Sequence, residues 1–433
     1  GTGEIAKVNP VAKEAAKKAI ADELAKKEEA IDGRTDLTDA EKAKAKEEAQ
    51  AKAKEATDAI NAQPDNAETP EKAAEAQKAV DGAKDKGVAD VKAVNPVAKE
   101  AAKKAVADEL AKKEEAIDKR TDLTDEEKAA AKDDAKAKAK AATDAIDAQP
   151  SNATTPEEAE KAQTAVNGAK DKGVADVTAV NPVAAKKSAA KADVETARKA
   201  KEDAIKANPN LTQAEKDAAI AKNNTAAEEA TKAIDSATTN DAVDKAKEAG
   251  TGEIAKVNPV AKEAAKKAIA DELAKKEEAI DARTDLTDAE KAKAKEDAQA
   301  KAKEATDAIN AQPDNAETPE KAAEAQTAVN GAKDKGVADV KAVNPVAKEA
   351  AKKAIADELA KKEEAINGRT DLTDEEKAAA KKDAQDKAKE ATDAIDAQPS
   401  NAETPEKAAE AQTAVNGAKD KGVADVKAVN PPL

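Results

Sequence analysis

The tripeptide Val-Asn-Pro recurs along the chain, with its proline at positions 10, 96, 182, 259, 345 and 431. Successive prolines lie 86, 86, 77, 86 and 86 residues apart. A period of this length marks a tandem array in which each unit is one supersecondary structure packed on its neighbours. The predicted units are 11–96, 97–182, a shorter 183–259, 260–345 and 346–433. Residues 1–10 match 250–259 and read as the end of a preceding repeat. A longer period is superimposed: residues 1–78 return as 250–327 with changes only at Gly33/Ala282, Glu48/Asp297 and Lys78/Thr327. Such near-identity points to duplication of a three-unit block.

Each unit reads as three helices. Asn9-Pro10 is predicted to open the first, with Asn as N-cap and Pro in the first turn. Its apolar stripe is Val11, Ile20, Leu24 and Ile31, joined by Ala12, Ala16 and Ala19. Thr38-Asp39-Ala40-Glu41 has capping-box spacing and starts the second helix. The same box recurs at Thr124/Glu127, Thr212/Glu215, Thr287/Glu290 and Thr373/Glu376. The second stripe is Ala45, Ala49, Ala53, Ala56 and Ile60. Gln63-Pro64-Asp65-Asn66 separates it from a third helix that starts at Thr69-Pro70. The third stripe is Ala73, Val80, Ala83, Gly87, Val91 and Val94. Gly82, Gly87, Gly168 and Gly173 fall within third helices, either as close-packing points against a neighbouring helix or as early helix ends; the favoured expectation is a weakened or kinked helix, because Val88, Val91 and Val94 continue the apolar pattern beyond Gly87. In the shorter unit, Thr239 stands 4 residues before Val243, whereas Thr69 stands 11 before Val80. The difference is one heptad, which leaves the buried face nearly unrotated.

Composition decides what such an array can do. The chain has 433 residues, a net charge of -16, and no Cys, His, Met, Trp, Tyr or Phe. Without thiolate or imidazole, the common zinc, haem and Ser-His or Cys-His chemistries have no ligands or bases. Without aromatics there is no platform for stacking bases or caging cations. The acidic balance argues against a nucleic-acid partner. No apolar run of membrane-spanning length occurs, and no signal peptide opens the sequence. No catalytic, cofactor-binding or metal-binding residue is predicted, and no cofactor.

Three antiparallel helices bring the chain in at one end and out at the other. Units of this kind joined without linkers stack head to tail. The predicted fold class is therefore all-α: tandem three-helix bundles forming an elongated rod, roughly 200 Å for five units. The expected partners are neighbouring repeats of the same chain, and the chain is expected to be a monomer.

Several local signals have weak functional readings. The acidic stretch Asp32–Asp39 lacks the oxygen spacing of a calcium loop and reads as capping and solvation. Asn152-Ala153-Thr154, Asn210-Leu211-Thr212 and Asn223-Asn224-Thr225 fit the glycosylation triplet but read as chance or cap chemistry. Lys13, Lys17, Lys18, Lys26 and Lys27 alternate with Glu14, Glu23, Glu28 and Glu29, which reads as a solvated face of charge pairs.

The shorter unit carries a resemblance in Leu211-Thr212-Gln213-Ala214-Glu215-Lys216, in the run Ala233–Val243, and in Ala246–Gly250 followed by Ile254–Val257. It resembles the tandem helical repeats of giant wall-anchored adhesins of Gram-positive bacteria, the staphylococcal and streptococcal surface-protein repeats of the domain-of-unknown-function type. The four longer units depart from it by an insertion before the third helix. The resemblance implies an extracellular, cell-wall location and a role as spacer or adhesive repeat.

The leading functional reading is a non-catalytic stalk that projects a distal binding domain from the cell wall. The alternative is a repeat that itself grips a host serum or matrix protein. The sequence offers no exposed aromatic for such an interface. A desiccation-type disordered chain ranks lower, because caps and prolines punctuate long units rather than short undecapeptides.

Overall fold

The computed structural model describes residues 1–430. Pro431, the last of the recurring prolines, lies outside the described residues, as does the end of the unit placed at 346–433. After a single turn, α1 (Thr2–Ile5), the helices run in threes. These are α2 (Glu14–Asp32), α3 (Asp39–Asn61) and α4 (Pro70–Lys92), then α5 (Glu100–Asp118), α6 (Asp125–Asp147) and α7 (Pro156–Thr178). A third set is α8 (Ala185–Ala207), α9 (Gln213–Ser236) and α10 (Asn240–Ala255). It is followed by α11 (Glu263–Asp281), α12 (Asp288–Asn310) and α13 (Pro319–Lys341), and by α14 (Glu349–Asn367), α15 (Asp374–Asp396) and α16 (Pro405–Lys427). Four antiparallel pairs of two-residue strands accompany them: β1 (Asn9–Pro10) with β2 (Asn66–Ala67), β3 (Asn95–Pro96) with β4 (Asn152–Ala153), β5 (Asn258–Pro259) with β6 (Asn315–Ala316), and β7 (Asn344–Pro345) with β8 (Asn401–Ala402).

The chain divides into two compact units, Gly1–Ala190 with Ile234–Asp244, and Lys191–Ala233 with Lys245 onward. In the first, α2, α3 and α4 pack mutually, as do α5, α6 and α7. In the second, α11–α13 and α14–α16 form equivalent triplets.

The second-helix stripe is as the spacing predicts. Ala45, Ala49, Ala53, Ala56 and Ile60 are all buried on α3, against Ile20 and Ile31 of α2 and Val80 and Val91 of α4. Thr38 accepts from the Glu41 amide and Glu41 reaches back to the Thr38 amide, closing the expected box. Thr69 caps α4 with Pro70 in the first turn, also as expected. Ala76, omitted from the predicted third stripe, is buried, while Ala73 and Ala83 are only partly so.

Two expectations are overturned. Asn9-Pro10 does not begin a helix. It is strand β1, and α2 starts only at Glu14. The reason lies in Asn66, whose side chain offers the Asn9 amide a partner at 2.6 Å that a helical turn would not supply. Gly87 does not weaken or kink α4, which runs unbroken through it. A Cβ placed there would lie 2.3 Å from the Ala56 Cβ and 3.3 Å from Ile20 Cδ1. The glycine lets three helices meet. A Cβ on Gly173, Gly336 or Gly422 would meet the Cβ of Ala142, Ala305 or Ala391 at the same distance. Gly82 and Gly168, by contrast, face open space.

The two kinds of glycine should respond oppositely to alanine. Gly87→Ala forces overlap and should destabilise its triplet by about 1–3 kcal/mol. Gly82→Ala should be neutral or stabilise by up to about 1 kcal/mol through helix propensity. Urea unfolding of the two variants checks this, and equal shifts in the two would contradict the packing role.

Candidate functional site: the joint between triplets

The feature with the densest polar geometry is the segment that leads from one triplet into the next. Proline has no amide hydrogen and holds its predecessor in extended backbone, so the groups around Asn9-Pro10 must find partners outside a helix. They find them in the α3–α4 connection. The Asn9 amide donates to Asn66 Oδ1, Asn9 Nδ2 donates to the Ala67 carbonyl at 3.0 Å, and Asn66 Nδ2 donates to the Lys7 carbonyl at 2.8 Å. The Val11 amide donates to the Asp65 carbonyl at 2.9 Å. Gln77 of α4 then acts as a surrogate strand. Its Oε1 accepts from the Ala12 amide at 2.8 Å and its Nε2 donates to the Ala12 carbonyl at 3.0 Å. Gln163, Gln326 and Gln412 hold Ala98, Ala261 and Ala347 in the same way.

Lys13 completes this clasp. It is buried, and its Nζ donates to the Gln63 carbonyl at 2.8 Å and to Asp65 at 2.9 Å, beside the C-terminus of α3. A cation there meets unpaired carbonyls at the negative end of the helix. Lys99, Lys262 and Lys348 repeat the arrangement on Gln149, Gln312 and Gln398. The reading of Lys13 as part of a solvated face is therefore corrected. Lys27 departs from it too, since its Nζ reaches Asn95 Oδ1 at 3.2 Å and burial pushes its ammonium below the ordinary lysine value.

At the other end of the triplet, one carboxylate serves two helices. Glu41 Oε1 accepts from the Thr38 amide at 2.9 Å, within its own capping box. Its Oε2 accepts from the Lys99 amide at 2.9 Å and the Glu100 amide at 3.3 Å, at the start of α5. Both helix N-termini present unpaired N–H groups and a positive dipole end, so a shared anion stabilises both. Glu215 bridges to Lys262 at 2.8 Å and Glu290 to Lys348 at 3.0 Å. Glu127 bridges to Lys186 at 3.2 Å. Burial opposes the charged form of Glu127, but the Thr124, Lys186 and Ala185 amides outweigh it and hold the carboxyl below its ordinary value.

Arg34 adds a second fastening. It grips Asp36 at 2.8 and 2.9 Å and donates to the Pro96 carbonyl at 3.2 Å. This hydrogen bonding holds the Asp36 carboxyl below the usual aspartate value. The acidic stretch once weighed for calcium is thus occupied by its own arginine and by the Thr38 cap. Apolar burial runs through the joint as well. Val94 and Ala98 belong to the same core as Ile31, Leu37 and Ala45. Val343 and Ala347 do so with Ile280, Leu286 and Ala294, and Val257 and Ala261 with Ile205, Leu211 and Ala219.

The shorter triplet is joined differently. It lacks the Asn-Ala strand, and Asn181-Pro182 stands outside any strand. Asn240 occupies the place of Gln77, three residues before the valine of its helix. Asn240 turns instead to the preceding triplet: Thr124 Oγ1 donates to its Oδ1 at 2.6 Å, and its amide donates to Glu126 at 2.8 Å. The Asp125 amide donates to the Thr238 carbonyl at 2.6 Å.

None of these groups forms a reactive constellation. Among the described residues no group of His, Cys, Asp or Glu is placed to hold a metal ion, and no helix is long and apolar enough to cross a membrane. Of the glycosylation triplets, Asn152 lies in β4 and donates to the Ala93 carbonyl, and Asn223 is fully buried in α9. The roles of Asn66, Gln77, Lys13 and the second oxygen of Glu41 were not read from the sequence. A signal was present, because the Asn-Ala pair and a glutamine three residues before the third-helix valine occur together in the four longer units, and the short unit has neither.

Residues 186–262 and 347–433 match the family model described as Domain of Unknown Function (DUF1542). Those two stretches are similar to that domain. This domain is known from repeats in bacterial surface proteins. The two matched stretches are one short and one long triplet, so the resemblance first carried by the short unit extends to a unit with the insertion. No curated protein and no solved structure matches significantly.

The joints at Asp36 and Glu127 have a pH signature. Glu127 and Asp36 titrate lower in the folded chain than their ordinary values of 4.5 and 3.8. Their contribution is then fully present above those values and is lost as pH falls through the lower, folded ones. Thermal melts should hold steady from neutrality to about pH 5 and drop below it. Glu127→Gln keeps one acceptor and turns a donor toward the other helix, so it should cost about 1–2 kcal/mol at pH 7. It should also narrow the difference between neutral and acid melts. A variant that melts like the parent at pH 7 would exclude the double-cap role.

Proposed function

We propose that the chain is a non-catalytic spacer of a bacterial cell-surface protein, extracellular and wall-attached, that holds a distal binding domain away from the cell wall. The observation that supports it best is where a triplet receives and releases the chain. The incoming β1 pairs with β2 in the α3–α4 connection. The outgoing segment lies at the other end, where Arg34 of the α2–α3 connection holds the Pro96 carbonyl and Lys27 holds the Lys92 carbonyl at 3.3 Å. The two ends are separated by the length of α2, about 28 Å for its 19 residues. Units of this topology add in series, and the joint is hydrogen-bonded and apolar rather than a free tether. A repeated joint of this kind transmits orientation from one unit to the next, which is what a spacer requires. The similarity of residues 186–262 and 347–433 to a domain known from surface-protein repeats supports the location.

Small-angle scattering tests the reading. An array of roughly 200 Å has a radius of gyration near ~58 Å, whereas a compact globule of 433 residues has one of about 22 Å. A value near the lower figure would rule out the spacer.

A further inference from the structure

We propose that the short triplet, α8–α10, is the yield point of the array: it opens before any other triplet when the chain is heated or pulled. Three observations carry this. The first is Asn223. The residue eleven positions past each capping threonine is Ala49, Ala135, Ala298 or Ala384 in the long triplets, and all four are fully buried. In the short triplet that position is Asn223, equally buried. Its Nδ2 donates to the Arg198 carbonyl at 2.8 Å, but its Oδ1 has no partner. A buried acceptor left unpaired raises the opening equilibrium by on the order of tenfold or more.

The second observation is length. α10 has 16 residues where α4 has 23, so the third helix offers two turns fewer for packing. The third is the incoming segment. Val11, Val97, Val260 and Val346, each directly after its proline, are 7%, 2%, 2% and 2% exposed, whereas Val183 is 78% exposed. The hydrogen bonds from the Thr238–Asn240 loop to α6 hold the loop to its neighbour. They do not reach Asn223 or restore the missing turns.

Hydrogen exchange read by mass spectrometry on the full chain tests the proposal, because peptides of the short triplet are unique in sequence. Amides in residues 213–233 should exchange about tenfold faster than those of α3 and α12 under native conditions. Asn223→Ala should slow them by about tenfold, and Ala298→Asn should accelerate α12 by a comparable factor. Exchange in 213–233 no faster than in α3 and α12 would overturn the proposal. So would an Asn223→Ala variant with unchanged exchange. The readout is independent of the shape of the chain, so its failure and the failure of the spacer reading are separable.

Discussion

Asn-Pro is the constraint on which the rest depends. Proline ends any helix before it and leaves its predecessor extended. An extended segment carries donors and acceptors that cost free energy if buried unpaired. In each long triplet they are met by an Asn-Ala strand, a glutamine amide and a buried lysine, all supplied by the triplet being entered. At the joints into α5 and α14 the previous triplet contributes the other half, Glu41 with Arg34 and Glu290 with Arg283, and at the joint into α11 it contributes Glu215. A joint without spare residues therefore has few unpaired groups and little freedom. The up-down-up order of the helices follows, because the clasp and the bridging glutamate sit at opposite ends of the same bundle.

The bundles are built largely from alanine, with a single isoleucine or valine per turn or two. Small side chains let the helices come close, and Gly87 against Ala56 marks one such contact. Burying one isoleucine contributes about 1.5–3 kcal/mol. A core of this kind has little surplus, which is why a single change from Ala to Asn at position 223 weighs heavily. It is also why caps and joints matter here more than in a protein with aromatic layers. Neighbour contacts and intrinsic unit stability together set the stability of such linear arrays.

Much of the fold was legible because its signals are local. Thr38 and Glu41 are three residues apart, and the α3 stripe repeats by fours and threes, so both could be read without knowing what packs against them. The one-heptad shortening of α10 was legible for the same reason. Asn9-Pro10 was misread because Asn before Pro is equally suited to an N-cap and to an extended strand, and the choice is made by Asn66, 57 residues away. For Gly87 the sequence left a packing contact and a weakened helix as alternatives and favoured the second, because propensity weighs the helix in isolation, whereas Ala56 and Ile20 decide whether a Cβ fits.

What the sequence by itself determined is the repeat period, the helical class, the Thr caps, the second-helix face and the absence of the residue types that common catalytic and metal sites use. These depend on periodicity and on chemistry within one or two turns. The tertiary structure alone decided which lysines are buried, which glycine is a contact point, and that one glutamate serves two helices. Those properties arise between groups tens of residues apart, and no local pattern encodes a distance across a bundle.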